Sequence, residues 1–231
     1  MKKSNTVVRS TLKISTGIGY LIATLLIWNL AANSPRLRFG TKTGLIFIAI
    51  EVSWALGTLV LLTREDVRLT ILFNALPVGL AFLDQLPLII SAATLFYGIV
   101  NVCLRVPRLG LIHFYGLICF SLANAVIPVA TLNFLTSQYL ERSTLLNIGI
   151  LFTLYVLFYT LRFTPELATI FTLIFIILFA GLILANFPLE KDILLIAIVL
   201  LSLGSQIFMR QERFRWCFLT FVLVALLAFY H

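Results

Sequence analysis

The stretch AIEVSWALGT, residues 49–58, places a carboxyl group, Glu51, inside a run of about nineteen otherwise uncharged residues. An ionised carboxylate facing hydrocarbon costs several kcal/mol, so Glu51 is expected to face other helices and to pair, hydrogen-bond or keep its proton. Two chemistries fit such an acid. It binds a proton or cation by turns, or it is a structural acid that donates a hydrogen bond to a neighbouring carbonyl.

Other polar residues interrupt the apolar runs. Counted at ~1.5 Å per helical residue, Glu51 sits roughly 10 Å below one boundary of its run. Asn124, Asn29 and Ser202 come to a similar height in theirs. A polar belt at one depth is the pattern of a site between helices.

Two asparagines also stand just ahead of prolines, in Asn74-Ala75-Leu76-Pro77 and Asn124-Ala125-Val126-Ile127-Pro128. Proline lacks the backbone donor and clashes with the carbonyl four residues back, so each pair predicts a kink. Broken helices of this kind frame ion and substrate sites, and an asparagine can equally satisfy the freed backbone groups. The candidate substrate- or proton-binding residues are therefore Glu51, Asn124, Asn74 and Ser202. No catalytic or metal-ligating set is assigned, and no cofactor.

Several other patterns read as packing. Ala49, Ser53 and Gly57 line one helical face, which admits a close helix neighbour. Glu51 is displaced by about 200° from that stripe, so acid and seam are expected to face different helices. Gly181 and Ala185 repeat the small-residue spacing, and Ser202, Ser205 and Gln206 share a face suited to interhelical hydrogen bonds. His113 falls at the end of an apolar run, where its ring reaches water. Cys103, Cys119 and Cys217 lie in apolar runs without C-x-x-C or Cys/His spacing and read as small hydrophobes. There is no H-E-x-x-H, G-x-S-x-G or P-loop, which argues against hydrolysis, metal catalysis and ATP-driven work.

The elements that must position these residues follow from composition. Of 231 residues, 61% are hydrophobic and 11% charged, with a mean hydropathy of +1.09. A soluble domain is about a quarter charged, and this chain has too few polar side chains to cover a globule. Apolar runs close to the length that crosses ~30 Å of hydrocarbon recur throughout. They predict an all-α, polytopic membrane helix bundle with spans at about 14–32, 44–62, 69–83, 86–104, 110–135, 145–161, 167–187, 193–209 and 216–230. Continuous apolarity without in/out alternation excludes a barrel.

With connections this short, consecutive helices are expected to be antiparallel neighbours in a single transmembrane domain, 1–231, with no soluble domain. The basic N-terminus followed by an apolar stretch has the grammar of a secretory signal, but its length fits an uncleaved first span.

The third segment is short and contains Pro77, leaving eight spans if it does not cross. With nine crossings, twelve of the seventeen Lys and Arg fall on one side and five on the other; with eight the split is eight to nine. The positive-inside rule therefore favours nine crossings with a cytoplasmic N-terminus, in the cell membrane. The net charge of +8 belongs to these loops, beside lipid headgroups, and gives no reason to expect nucleic acid.

Glu51-Val52-Ser53-Trp54-Ala55-Leu56-Gly57 resembles the first-helix segment of small multidrug resistance transporters, in particular the guanidinium exporters. In that family such a glutamate takes up substrate cation and proton by turns. The likeness covers seven residues of 231, and that family has four spans with the acid in the first.

The functional expectations are three. The first is a small proton- or cation-coupled transporter or channel-like protein acting on a small solute or cation. The second is a non-catalytic membrane subunit that assembles, anchors or senses with a protein partner in the membrane. The third is an intramembrane lipid-modifying enzyme. Membrane lipids are partners in all of them.

Overall fold

The computed structural model describes residues 2–33, 41–63, 67–106, 113–164, 168–208 and 214–230, with side chains except those of 2–16, 168, 207–208 and 214–215. Among the described residues lie nine helices and no strand: α1 Lys2–Ala31, α2 Lys42–Thr63, α3 Val67–Leu83, α4 Leu88–Arg105, α5 His113–Ser137, α6 Arg142–Phe163, α7 Ala168–Leu184, α8 Leu189–Phe208 and α9 Phe214–Phe229. Each segment anticipated from the apolar runs falls on one of them. By length and composition, α2, α4, α5 and α6 can each cross a membrane, while α3 and the apolar parts of α1, α7 and α9 are shorter. Most of the Lys and Arg side chains behind the topology count lie outside the described residues.

The doubtful third segment is one unbroken helix that carries Pro77 within it. It ends in a Schellman turn. Gln85 has a positive φ of 50°, its N–H donates to Phe82 O at 3.2 Å, and the Leu86 N–H donates to Ala81 O at 3.0 Å. This satisfies the last carbonyls of α3 and reverses the chain within a few residues. Pro87 then opens α4, its carbonyl accepting from Ile90 and Ser91. The α3–α4 hairpin is antiparallel because so short a link allows nothing else.

Sequence neighbours pack on one another along the chain, and α9 folds back onto α1 and α6. The core is rich in rings: Trp28, Trp54, Tyr20, Tyr97, Tyr155, Tyr159, Phe120 and Phe158 are all buried. Tyr155 meets Phe221 at 4.6 Å, Phe120 meets Tyr159 at 5.2 Å, and Trp54 meets Tyr97 at 5.2 Å. The perimeter is as apolar as the core, with Leu88 84%, Leu201 74% and Ile177 72% exposed. A contiguous greasy surface of this kind is intolerable in water and ordinary in lipid.

Candidate functional site

Glu51 lies midway along α2 and is only 1% exposed. Its polar contact is Asn29 of α1, whose Nδ2 donates to Leu25 O at 2.8 Å and reaches Glu51 Oε1 at 3.5 Å. The first bond holds the amide against its own helix. The second is long, so the carboxyl is lightly held.

Trp54 and Thr58 follow Glu51 at three and seven residues and share its face of α2. Thr58 anchors a second polar group. Its Oγ1 is 3.0 Å from Trp54 O, 2.6 Å from Tyr97 OH on α4 and 2.9 Å from Asn124 Oδ1 on α5. Tyr97 OH is also 2.9 Å from Asn124 Oδ1. An amide oxygen only accepts, and each hydroxyl carries one proton, so two protons serve three short oxygen contacts. The two protons are shared among Asn124 Oδ1, the fellow hydroxyl and the Trp54 carbonyl. Asn124 itself is oriented by its Nδ2, which donates to Phe120 O at 2.9 Å.

Asn74 is caged between α2 and α4. Its Nδ2 donates to Thr70 O at 2.7 Å, and its Oδ1 accepts from Asn101 Nδ2 at 2.9 Å. Gly57 of α2 and Gly98 of α4 make room for it. A methyl at Gly57 would come within 3.0 Å of Asn74 Nδ2, and one at Gly98 within 3.1 Å of Asn74 O. The small-residue stripe on α2 thus meets α3, while Glu51 meets α1. Asn101 stands one turn from Tyr97 on α4, so α4 joins the Asn74 and Asn124 neighbourhoods.

The chain matches no family model, no curated protein and no solved structure. The short likeness around Glu51 thus stands without a family match, and the site is read from its own geometry.

The four sequence-derived residues separate into distinct places. Asn124 is level with Thr58, roughly 10 Å along α2 from Glu51, so the common depth expected for the two does not hold. The reason is stagger. Asn133 of α5 donates to Ala32 O at the end of α1, and α5 continues another turn to Ser137, which shifts its register against α2. Ser202 belongs to α8, which packs on α7 and α9, away from Glu51. Its carbonyl accepts from Ser205 Oγ at 2.7 Å, and Gln206 Nε2 donates to Thr220 of α9 at 2.8 Å.

Both prolines lie within continuous helices. The amides of Asn74 and Asn124 donate to carbonyls one turn earlier, on Thr70 and Phe120, so no helix break frames a site at either position. His113 opens α5 and is exposed, and the three cysteines are free thiols.

Sequence reasoning missed Thr58, Tyr97 and Asn101. A signal for them existed. Ser91, Thr94, Tyr97 and Asn101 fall on one face of α4, and all four are buried. A polar stripe on an otherwise apolar helix points at its neighbours rather than at lipid.

Proposed function

We propose that this chain is a multi-pass protein of the cell membrane, crossing nine times with its N-terminus cytoplasmic, and that it is a small carrier in which Glu51 takes proton and cation by turns. The observation that carries the reading is the state of Glu51. It is an acid within the bundle whose polar contact is a neutral amide at 3.5 Å. A tight ion pair would fix its charge, whereas a buried carboxyl whose polar contact is a neutral amide keeps its proton until a cation takes the proton's place. The apolar perimeter and the nine helices among the described residues support the topology, and nine crossings would put twelve of the seventeen Lys and Arg on one side.

The test uses the full chain in liposomes with an entrapped pH-sensitive dye, challenged with gradients of guanidinium and tetraphenylphosphonium. The wild type should couple proton movement to at least one cation. Glu51→Gln should fold and be silent, and Glu51→Asp should retain partial coupling. Unchanged coupling in Glu51→Gln removes the acid from the mechanism, and a wild type that moves no proton with any cation removes the carrier.

A second reading has its own observation. The amides of Asn74 and Asn124 are held by partners inside the bundle, which is how a packing subunit uses polar groups. A non-catalytic subunit would purify in mild detergent with a stoichiometric membrane partner and would leave the dye unchanged.

A further inference from the structure

Asn29, the partner of Glu51, stands two residues before the end of α1. That end is fastened from outside its own helix. Asn33 has a positive φ of 52° and donates its N–H to Leu30 O at 3.1 Å, which stops the helix. The final carbonyls then need partners elsewhere. Asn147 Nδ2 of α6 donates to Ala31 O at 2.9 Å, and Asn133 Nδ2 of α5 donates to Ala32 O at 3.3 Å. Asn33 Nδ2 adds a bond of 3.0 Å to Ser143 Oγ of α6. Asn133 and Asn147 are both buried.

Three features distinguish this tip from a fixed cap. Every one of its bonds joins neutral groups near an end of the bundle, so water can replace each at small net cost. Next, α1 packs more heavily on α2 and α9 than on α5 and α6, so the fastened seam is its lightly packed side. Last, Glu51 is unequally covered. Toward the opposite end, Trp54 and the Thr58, Tyr97 and Asn124 group follow it over about two turns and tie α2, α4 and α5. Toward the near end, α1 stops roughly 3 Å beyond Asn29.

We infer that the tip of α1 is a strap over Glu51, held shut by Asn147 and Asn133, and that its release opens the carboxyl toward the end of the bundle where α1 stops. Asn147 and Asn133 are positioning residues. They hold the α1 backbone and act on Glu51 through Asn29, which leaves with the tip. The inference deepens the carrier reading and rests on Glu51 being the carrier's site, but the strap is read by access to the carboxyl, which needs no transport.

The test treats the full chain in lipid nanodiscs, where both faces meet the solution, with a water-soluble carbodiimide and an amine. Modification of Glu51 is mapped by mass spectrometry against the exposed Glu190. Asn147→Leu with Asn133→Leu should raise the Glu51 rate about tenfold, the effect of one or two hydrogen bonds on an opening equilibrium. Thr58→Val with Tyr97→Phe, on the other side of Glu51, should leave it unchanged. Asn33→Cys with Ser143→Cys replaces two side chains in contact, and oxidation with copper–phenanthroline should join them and suppress the modification. Reduction should restore it. Helicity and elution volume identify any variant that fails to fold, and the reversible lock needs neither asparagine changed.

A Glu51 rate that ignores both the release and the lock overturns the inference. So does an equal rise in the Thr58 and Tyr97 variant, which would put the opening on the other side. A disulfide that does not form in the folded protein overturns it too, because the tip is then not seated on α6. Proton-coupled transport without these changes in access would remove the strap and keep the carrier, and the changes without transport would do the reverse.

Discussion

Gly57 of α2 lies against the carboxamide of Asn74 on α3, with space for a hydrogen but not for a methyl: an added Cβ would stand 3.0 Å from Nδ2 and 3.2 Å from Oδ1. The amide cannot swing aside without losing Thr70 O or Asn101. Gly98 presses on the same residue from the other side, against a backbone oxygen that has no rotamer to escape to. Gly57→Ala and Gly98→Ala should each destabilise the bundle by about 1–3 kcal/mol, the usual cost of overpacking. Gly79 and Gly181 have nothing within 4 Å of a built Cβ, so their alanine variants should match wild type or gain up to about 1 kcal/mol. Thermal unfolding of the four variants in one detergent separates the two classes, and equal behaviour would show that α3 is not wedged.

The hydroxyls of Thr58 and Tyr97 compete for the same acceptors, so they should be energetically coupled. Thr58→Val and Tyr97→Phe should each cost about 0.6–1.7 kcal/mol, the range for hydrogen bonds between membrane helices. The double variant should lose less than their sum, because each single change leaves a polar atom with a broken partner set. Additive losses in a denaturant series would show that the three oxygens do not act together.

Asn29 and Glu51 form a two-member polar contact in an apolar seam, and removing one member should be worse than removing both. Asn29→Leu leaves the carboxyl without its amide and should destabilise by about 1–3 kcal/mol. Asn29→Leu combined with Glu51→Leu replaces both by apolar groups and should recover most of that loss, while abolishing any coupling to protons. A double variant less stable than the single one would mean that the carboxyl has another essential partner.

Lys191 caps the far end of α9. Its Nζ is 3.0 Å from Ala228 O and 3.0 Å from Tyr230 O, and 4.3 Å from the Phe187 ring. A cation on the final carbonyls of a helix offsets the negative end of its dipole. Lys191→Met should cost about 0.3–1 kcal/mol. Amide exchange should rise in the last turn of α9 and stay unchanged in α5 and α6. Uniform exchange along α9 in both proteins would remove the cap.

The helices were legible because long, continuously apolar runs leave length and hydropathy to decide, and every anticipated apolar segment has its helix. Even the short third one, with Pro77 inside, is a continuous rod. Lateral relationships were less legible. The separation of Glu51 from the Ala49–Ser53–Gly57 stripe follows from 100° per residue and holds, because both belong to one helix. Heights compared across helices hold for Asn29, which meets Glu51, and fail for Asn124, since the comparison assumes that all helices start level. Asn124 paired with Thr58 rather than standing beside Glu51 for that reason. Ser202 illustrates a second gap: depth says nothing about which neighbours a helix has, and α8 lies away from α2. An asparagine ahead of a proline fits either a site at a helix break or a side chain that satisfies local backbone; here the amides reach back one turn and tie neighbouring helices, a choice that depends on side-chain rotation.

The return of α9 to α1 bears on how the molecule is made. Tyr20 of α1 rests on Phe218 at 4.6 Å, and Tyr155 of α6 rests on Phe221 at 4.6 Å. Of the nine helices, α1 leaves the ribosome earliest and α9 latest, so Tyr20 meets Phe218 only after the eight helices before α9 have been made. Without α9, Tyr20 would lose Phe218 and Tyr155 would lose Phe221, while Phe120 and Tyr159 would still pack on Tyr155.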